Sequence, residues 1–243
     1  MIKRMLAVLP LLYATAVTAE IENPLYGDPS KPNISGMWDP EFAYFGPPIG
    51  EEAAARPTGA PPDPSLFRPA MPKLTPEYAA RYEAWRKDFE LGVQEPDTVT
   101  RCLAFGVVRF GTMPMEIIQT PGQITMNLGV LHDIRRIYLD GGHTEGADPS
   151  FNGDSIGHWE GDTLVVETNN IRAATIDRNG VPYSDQLTVV ERIRRVSEDR
   201  LEIEMTLTDP EAFEEPFVIR RAYVPMPKGS RFEEYVCEYN QDI

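Results

Sequence analysis

From Cys102 onward, apolar and polar residues alternate with a period of two. The clearest run is "RLEIEMTLTDP" (200–210). Leu201, Ile203, Met205 and Leu207 fall on one face, and Glu202, Glu204, Thr206 and Thr208 on the other. Successive side chains of a strand point to opposite faces, so this run predicts a strand buried on one side only. The same reading predicts strands over 115–120, 123–129, 133–139, 154–160, 162–168, 187–196, 217–224 and 231–239. Turn signals separate them: Pro121-Gly122, Gly141-Gly142, Gly161-Asp162, Asn179-Gly180, Asp209-Pro210 and Lys228-Gly229. Roughly nine short strands on short links, with no βα alternation and no internal repeat, predict an all-β fold: an antiparallel barrel or sandwich.

Upstream the pattern changes. "TPEYAARYEAWRKDFELG" (75–92) predicts a helix, with Thr75 as N-cap, Pro76 at the first helical position and Gly92 as the stop. Tyr78, Tyr82, Trp85 and Phe89 recur at four- and three-residue steps and make one aromatic stripe, which reads as a docking face. Residues 20–76 are rich in proline, which fixes φ and removes backbone donors, so this segment is expected to be extended and irregular. "ISGMWDP" (34–40) is its exception, suited to begin a strand or fill a pocket. The expected organisation is a Pro-rich segment over 20–76, a helix over 77–97 packed on the barrel, and a barrel domain over 98–243.

The first nineteen residues are read apart from the fold. Lys3 and Arg4 precede a short apolar stretch, and Val17 and Ala19 sit at the small-residue positions of a cleavage site, the pattern of an export leader cut after Ala19. The apolar stretch is too short for a bilayer span, so a periplasmic or secreted protein without membrane insertion is expected. Loss of Lys3 and Arg4 leaves all 38 acidic residues in place and moves the formal charge from −15 to −17. That charge disfavours nucleic acid and anionic membrane surfaces as partners. Cys102 and Cys237 are the two cysteines. In an exported chain they are expected to pair, and closing so long a loop stabilises by about 4 to 5 kcal/mol in the chain-entropy model.

"SIGHWEGDTLVVET" (155–168) places a His, a Trp and two carboxylates within a few positions. Gly161-Asp162 between two alternating runs predicts a two-residue hairpin turn, with His158 and Glu160 on one strand face and Trp159 on the other. His-x-Glu lacks the one-turn spacing of helical zinc-protease ligands. Together with "RRIYLDGGHTEG", "VVERIRR", "LTDPEAF" and "EYVCEYN", this stretch resembles a large group of exported, mostly uncharacterised proteins of proteobacteria and acidobacteria. The resemblance covers about residues 98 to 242 and implies a secreted, lipocalin-like β-barrel, with no activity attached. Phe217 replaces a usual Trp, and "NNIRAAT" also departs from the group's pattern, changes expected to reshape any pocket.

Candidate chemistry concentrates in "LHDIRRIYLDGGH" (131–143), where His132 and His143 bracket a strand carrying Arg135, Arg136 and Tyr138. Arg136 and Tyr138 share a face with Ile134; Phe217, Ile219, Arg221 and Tyr223 share another; Glu191 and Arg195 align with Val189 and Ile193. A buried charge is costly unless paired, so charges on apolar faces need an account. In one account the arginines lie outside and pair with Glu191, Glu202 or Glu204. In the other, Arg136, Tyr138, Arg221 and Tyr223, with Trp159, line a cavity for a small aromatic or hydrophobic molecule bearing an acidic group. His132, His143, His158, Tyr138 and Glu191 would then supply general acid–base catalysis by a lyase or isomerase needing neither cofactor nor metal. The rivals are a carrier without turnover and a structural envelope protein.

Overall fold

The computed structural model describes residues 30–41, 71–93, 98–131, 133–177 and 179–237. The stretch expected to be a leader (1–19), the proline-rich stretch 42–70 and the end of the expected helical region (94–97) lie outside them. The barrel strands are β1 (Gly36–Pro40), β2 (Met115–Gln119), β3 (Gln123–Leu128), β4 (Ile134–Tyr138), β5 (Asp154–Glu160), β6 (Thr163–Asn169), β9 (Thr188–Ser197), β10 (Arg200–Thr208) and β11 (Phe217–Pro225). They close in the order β1-β11-β10-β9-β6-β5-β4-β3-β2. Two-residue strands β7 (Ala174–Thr175) and β8 (Pro182–Tyr183) form a small hairpin between β6 and β9.

The all-β barrel matches the alternation that predicts it. Leu201, Ile203, Met205 and Leu207 of β10 are all buried, and their polar neighbours are not. Phe217, Ile219, Arg221 and Tyr223 likewise face inward from β11. The turn at Gly161-Asp162 forms as expected, with Glu160 opposite Thr163 and Gly161 at φ +61°, the conformation a primed hairpin turn needs.

Two expectations are corrected. No strand forms over 231–237, the described part of the stretch expected to be the ninth. Neither of its faces is continuously apolar, since Arg231, Glu233 and Glu234 interrupt both. The ninth strand is β1 from the N-terminal segment. It pairs with β2 (Trp38 opposite Met115) and with β11 (Pro40 opposite Tyr223), and buries the Trp38 indole. The tail over 226–237 runs along the outside. There Phe232 lies against Gly129, and Cys237 forms a disulfide with Cys102, as expected. The second correction concerns direction, because β4 and β5 run parallel and are registered over only two pairs, Ile137 with Ser155 and Tyr138 with Ile156. A parallel neighbour needs a long crossover, and residues 139–153 supply it.

Helix α1 (Pro76–Leu91) spans the expected range, with Gly92 left-handed at its end. Its base docks on the β10–β11 corner, where Thr75 N donates to Ala212 O at 2.9 Å and Leu74 bridges to Phe213. The buried Asp209 carboxylate holds that corner, accepting from the Ser184, Glu211 and Ala212 amides and the Ser184 hydroxyl. The aromatic stripe is only half used: Tyr78 is buried, Tyr82 and Trp85 are partly covered, and Phe89 is exposed. No helix among the described residues is long and apolar enough to cross a membrane.

Side chains fill the barrel, among them Trp38, Met115, Ile117, Ile124, Met126, Leu164 and Ile193. The segment before β2 contributes Val107, Val108 and Phe110 to the same core. Two inward groups of β11 fasten it: Arg221 Nη2 donates to Val108 O at 2.6 Å, and the Tyr223 hydroxyl donates to Gly111 O at 2.8 Å. Only glycine fits at 111, where a Cβ would stand 2.0 Å from the Tyr223 hydroxyl. Burial pushes that hydroxyl up to about 12, with the Arg221 charge opposing and Glu191 reinforcing the rise. A phenol raised above its unfolded value near 10 supports full stability below pH 10 and loses it as pH climbs toward 12. Melting temperature is therefore expected to fall steeply across that window, by the equivalent of about 2 to 3 kcal/mol from Tyr223. Tyr223→Phe should lower stability at neutral pH yet flatten the alkaline limb, as thermal melts from pH 8 to 12 would read out.

Candidate functional site

The thin β4–β5 seam is closed by a side chain. Arg135 faces inward from β4 and is fully buried. Its Nη1 donates to Glu191 Oε1 on β9 at 3.0 Å, and its Nη2 pairs with Glu191 Oε2. Across the seam, Nε and Nη2 reach Ser155 Oγ on β5 at 3.3 and 3.2 Å, and Nη2 reaches Thr168 Oγ1 on β6 at 3.0 Å. Ser155 and Thr168 are registered opposite each other, and their hydroxyls lie 2.9 Å apart. The guanidinium is thus met end-on by a carboxylate, through Nη1 and Nη2, and along its Nε–Nη2 edge by two hydroxyls, the arrangement that makes a buried charge tolerable.

Above this network the seam opens outward. A cavity of about 480 Å³ lies between the outer face of β4 and the 139–153 crossover. Its β4 wall carries Ile134, Arg136 and Tyr138, its crossover wall carries Asp148, Phe151 and Asn152, and Arg135 lines it from β4 and Asp154 and Ser155 from the start of β5. Arg136 is exposed and has no hydrogen-bond or ion-pair partner among the described residues. Tyr138 is 43% exposed, its ring open to the cavity side. The crossover is anchored at both ends. Thr144 N donates to Asp154 Oδ2 at 2.5 Å, and the buried Asp133 carboxylate accepts from Asn152 Nδ2 at 2.6 Å and Phe105 N at 2.9 Å. Gly153 at φ +65° makes the entry to β5; a Cβ there would stand 2.5 Å from Asn169 O.

The residues singled out from sequence separate into four places. Arg136 and Tyr138 share the outer cavity, whereas Arg221 and Tyr223 lie inside the barrel, so these four do not line one space. The alternation in "IRRIY" carries an Arg and an apolar residue on each face. The buried partner Glu191 decides between them in favour of Arg135. Glu191 sits in that ion pair and not at the outer cavity. His143 flanks the cavity, its Nδ1 being 3.4 Å from Asp154 Oδ2, close enough for an ion pair when protonated but not aligned as a hydrogen bond. His158 stands on the outside of the hairpin, 58% exposed and 3.4 Å from Glu160. Glu160 is held below the usual carboxylate range by the Arg192 hydrogen bond first and by His158 second. Trp159 faces the other way and packs on the barrel core. His132 lies outside the described residues.

Arg135, Ser155 and Thr168 were open to prediction once the hairpin register was fixed, because Gly161-Asp162 places the two hydroxyls opposite one another. Asp148, Phe151, Asn152 and Asp154 carry no signal along the chain, since only the parallel crossover connection brings them to β4. Outside the barrel, the surface account of strand charges also holds: Arg220 pairs with Glu204, and Arg200 with Glu202 and Glu41. Among the described residues no group of three or more His, Cys, Asp or Glu side chains is placed to hold a metal ion.

The buried pair has an expected energetic signature. Arg135→Met or Glu191→Leu alone leaves an uncompensated charge and should cost about 3 to 5 kcal/mol. The double variant should recover most of that loss, as denaturant titration of all four proteins would show. Equal destabilisation by the double variant and the summed singles would deny the coupling. No protein-family model matches this chain, and no curated protein matches it, so the chemistry of the site rests on its geometry.

Proposed function

We propose that this protein is an exported small-molecule-binding barrel, and that its ligand is an organic acid with a flat apolar body seated at the β4–β5 seam. One observation carries the reading: Arg136 presents a guanidinium to a cavity of about 480 Å³ without a partner among the described residues, beside the open ring of Tyr138. Cavities of this size suit small molecules. An arginine offers a carboxylate two parallel hydrogen bonds, and a tyrosine offers a flat wall with a polar tip. Arg135 is not the binding group, because its donors are already engaged. Export is supported by the leader-like first nineteen residues and by the Cys102–Cys237 disulfide. Membership of the exported group with the "SIGxWEGDTLVVxT" pattern is part of the same proposal; its motifs coincide with β4, the β5–β6 hairpin, β9 and the β10–β11 corner.

A second reading is cofactor-independent turnover by a lyase or isomerase, favoured by the approach of His143 to Asp154 on the cavity wall. A carboxylate that orients an imidazole leaves its second nitrogen free to move a proton. Binding is the better supported of the two, because His158 and Glu191, two of the groups such chemistry would use beside His143 and Tyr138, lie elsewhere.

The mature protein would be incubated with a panel of aromatic acids and phenolic dimers, and both retention and product masses followed. Retention of acids with unchanged mass, weakened about tenfold or more by Arg136→Gln at unaltered melting temperature, is the expected result. Acid binding insensitive to Arg136→Gln would overturn the assignment. Should a panel member change mass, His143→Ala is expected to abolish that conversion while leaving retention intact, and undiminished conversion would reject the turnover reading.

A further inference from the structure

The cavity is lined by opposite charges that do not neutralise one another. Arg136 stands on the β4 wall, Asp148 on the crossover wall and Asp154 at the start of β5, yet none of the ion pairs among the described residues joins the arginine to either carboxylate. Asp154 is committed to the crossover through the Thr144 amide and the neighbouring His143. Asp148 is different, being exposed and without a partner among the described residues. A cation and a carboxylate lining one space, each lacking a protein partner among the described residues, form a template with two poles. Tyr138 and Phe151 stand on the same two walls.

Resting on the acid-binding reading above, we propose that the ligand is bipolar. Its carboxylate meets Arg136, an ammonium group at its other end meets Asp148, and a flat body lies between Tyr138 and Phe151. Such a molecule satisfies both walls at once, whereas a simple acid leaves Asp148 facing its apolar end. Both poles are partly open to water, so the second contact contributes modestly and is screened by salt.

Three matched probes separate the possibilities: para-toluate, para-(hydroxymethyl)benzoate and para-(aminomethyl)benzoate, titrated calorimetrically into the mature protein at low ionic strength. The aminomethyl acid is expected to bind about three- to fivefold tighter than toluate. Asp148→Asn should remove that preference while leaving toluate affinity unchanged, and Arg136→Gln should weaken all three. Equal affinities for the three probes, or a preference that survives Asp148→Asn, would overturn the bipolar ligand while leaving the acid-binding reading intact. A hydroxymethyl acid that binds best would overturn the charged pole. If none of the three binds, both readings fall.

Discussion

The barrel closes where its backbone ladder is thinnest, and a buried guanidinium does the joining. Between β4 and β5 only two residue pairs are in register, compared with seven between β5 and β6. A parallel contact of that length cannot hold two strands by itself. Arg135 spans the gap, tied to Ser155 on β5, Thr168 on β6 and Glu191 on β9. One side chain thus links four strands across the seam. The link demands dryness, since the ion pair gains its strength from low dielectric and its tolerance from complete hydrogen bonding. The filled core around it, with Ile137, Leu164 and Val166 all fully buried, supplies both conditions.

A seam pinned from the inside is left open on the outside. The crossover that makes β5 parallel to β4 must travel the length of the barrel, and it does so as a loop standing off the outer face of β4. Asp133 and Asp154 fasten it near its two ends through Asn152 and Thr144. The cavity lies between the outer face of β4 and this loop. The interior, by contrast, is occupied by side chains and by the segment latched through Arg221 and Tyr223. Many β-barrels hold ligands in the mouth or the lumen; here the cavity lies at the side wall.

How much of this was legible in the chain depends on the range of the interaction. Period-two alternation reports which face of one strand is buried, and it served well on β10 and β11, where one face is uniformly apolar. It failed on β4, where "IRRIY" offers an arginine and an apolar residue to either side, and only a carboxylate on β9 breaks the tie. Strand β1 was half visible: Trp38 marked it as apolar, but its place between β2 and β11 depends on two distant partners. The tail over 231–237 shows the converse error, because a mixed run of charged and aromatic residues has strand-like propensity without a face to bury. The disulfide was legible because two cysteines leave one pairing within the chain. The crossover wall was not, since Asp148, Phe151 and Asn152 become neighbours of Arg136 only through the parallel connection.

Adjacent arginines therefore come to opposite ends of the electrostatic scale. Arg135 is buried and saturated, with a carboxylate fork and two hydroxyls on its donors. Arg136, one peptide further on, is exposed and without a protein partner among the described residues. The pleat alone imposes this division, since neighbouring residues of a strand must point to opposite faces. Exchanging the roles would require a slip of β4 by one residue. That slip would expose Ile137 and push Tyr138 into a packed core, while Glu191 faced a different side chain. The ion pair thus fixes the register of β4, and the register fixes which residues meet the crossover. The orientation of Arg136 and Tyr138 toward the cavity follows from the burial of Arg135 against Glu191, so the structural arginine is what leaves the second one at the cavity wall.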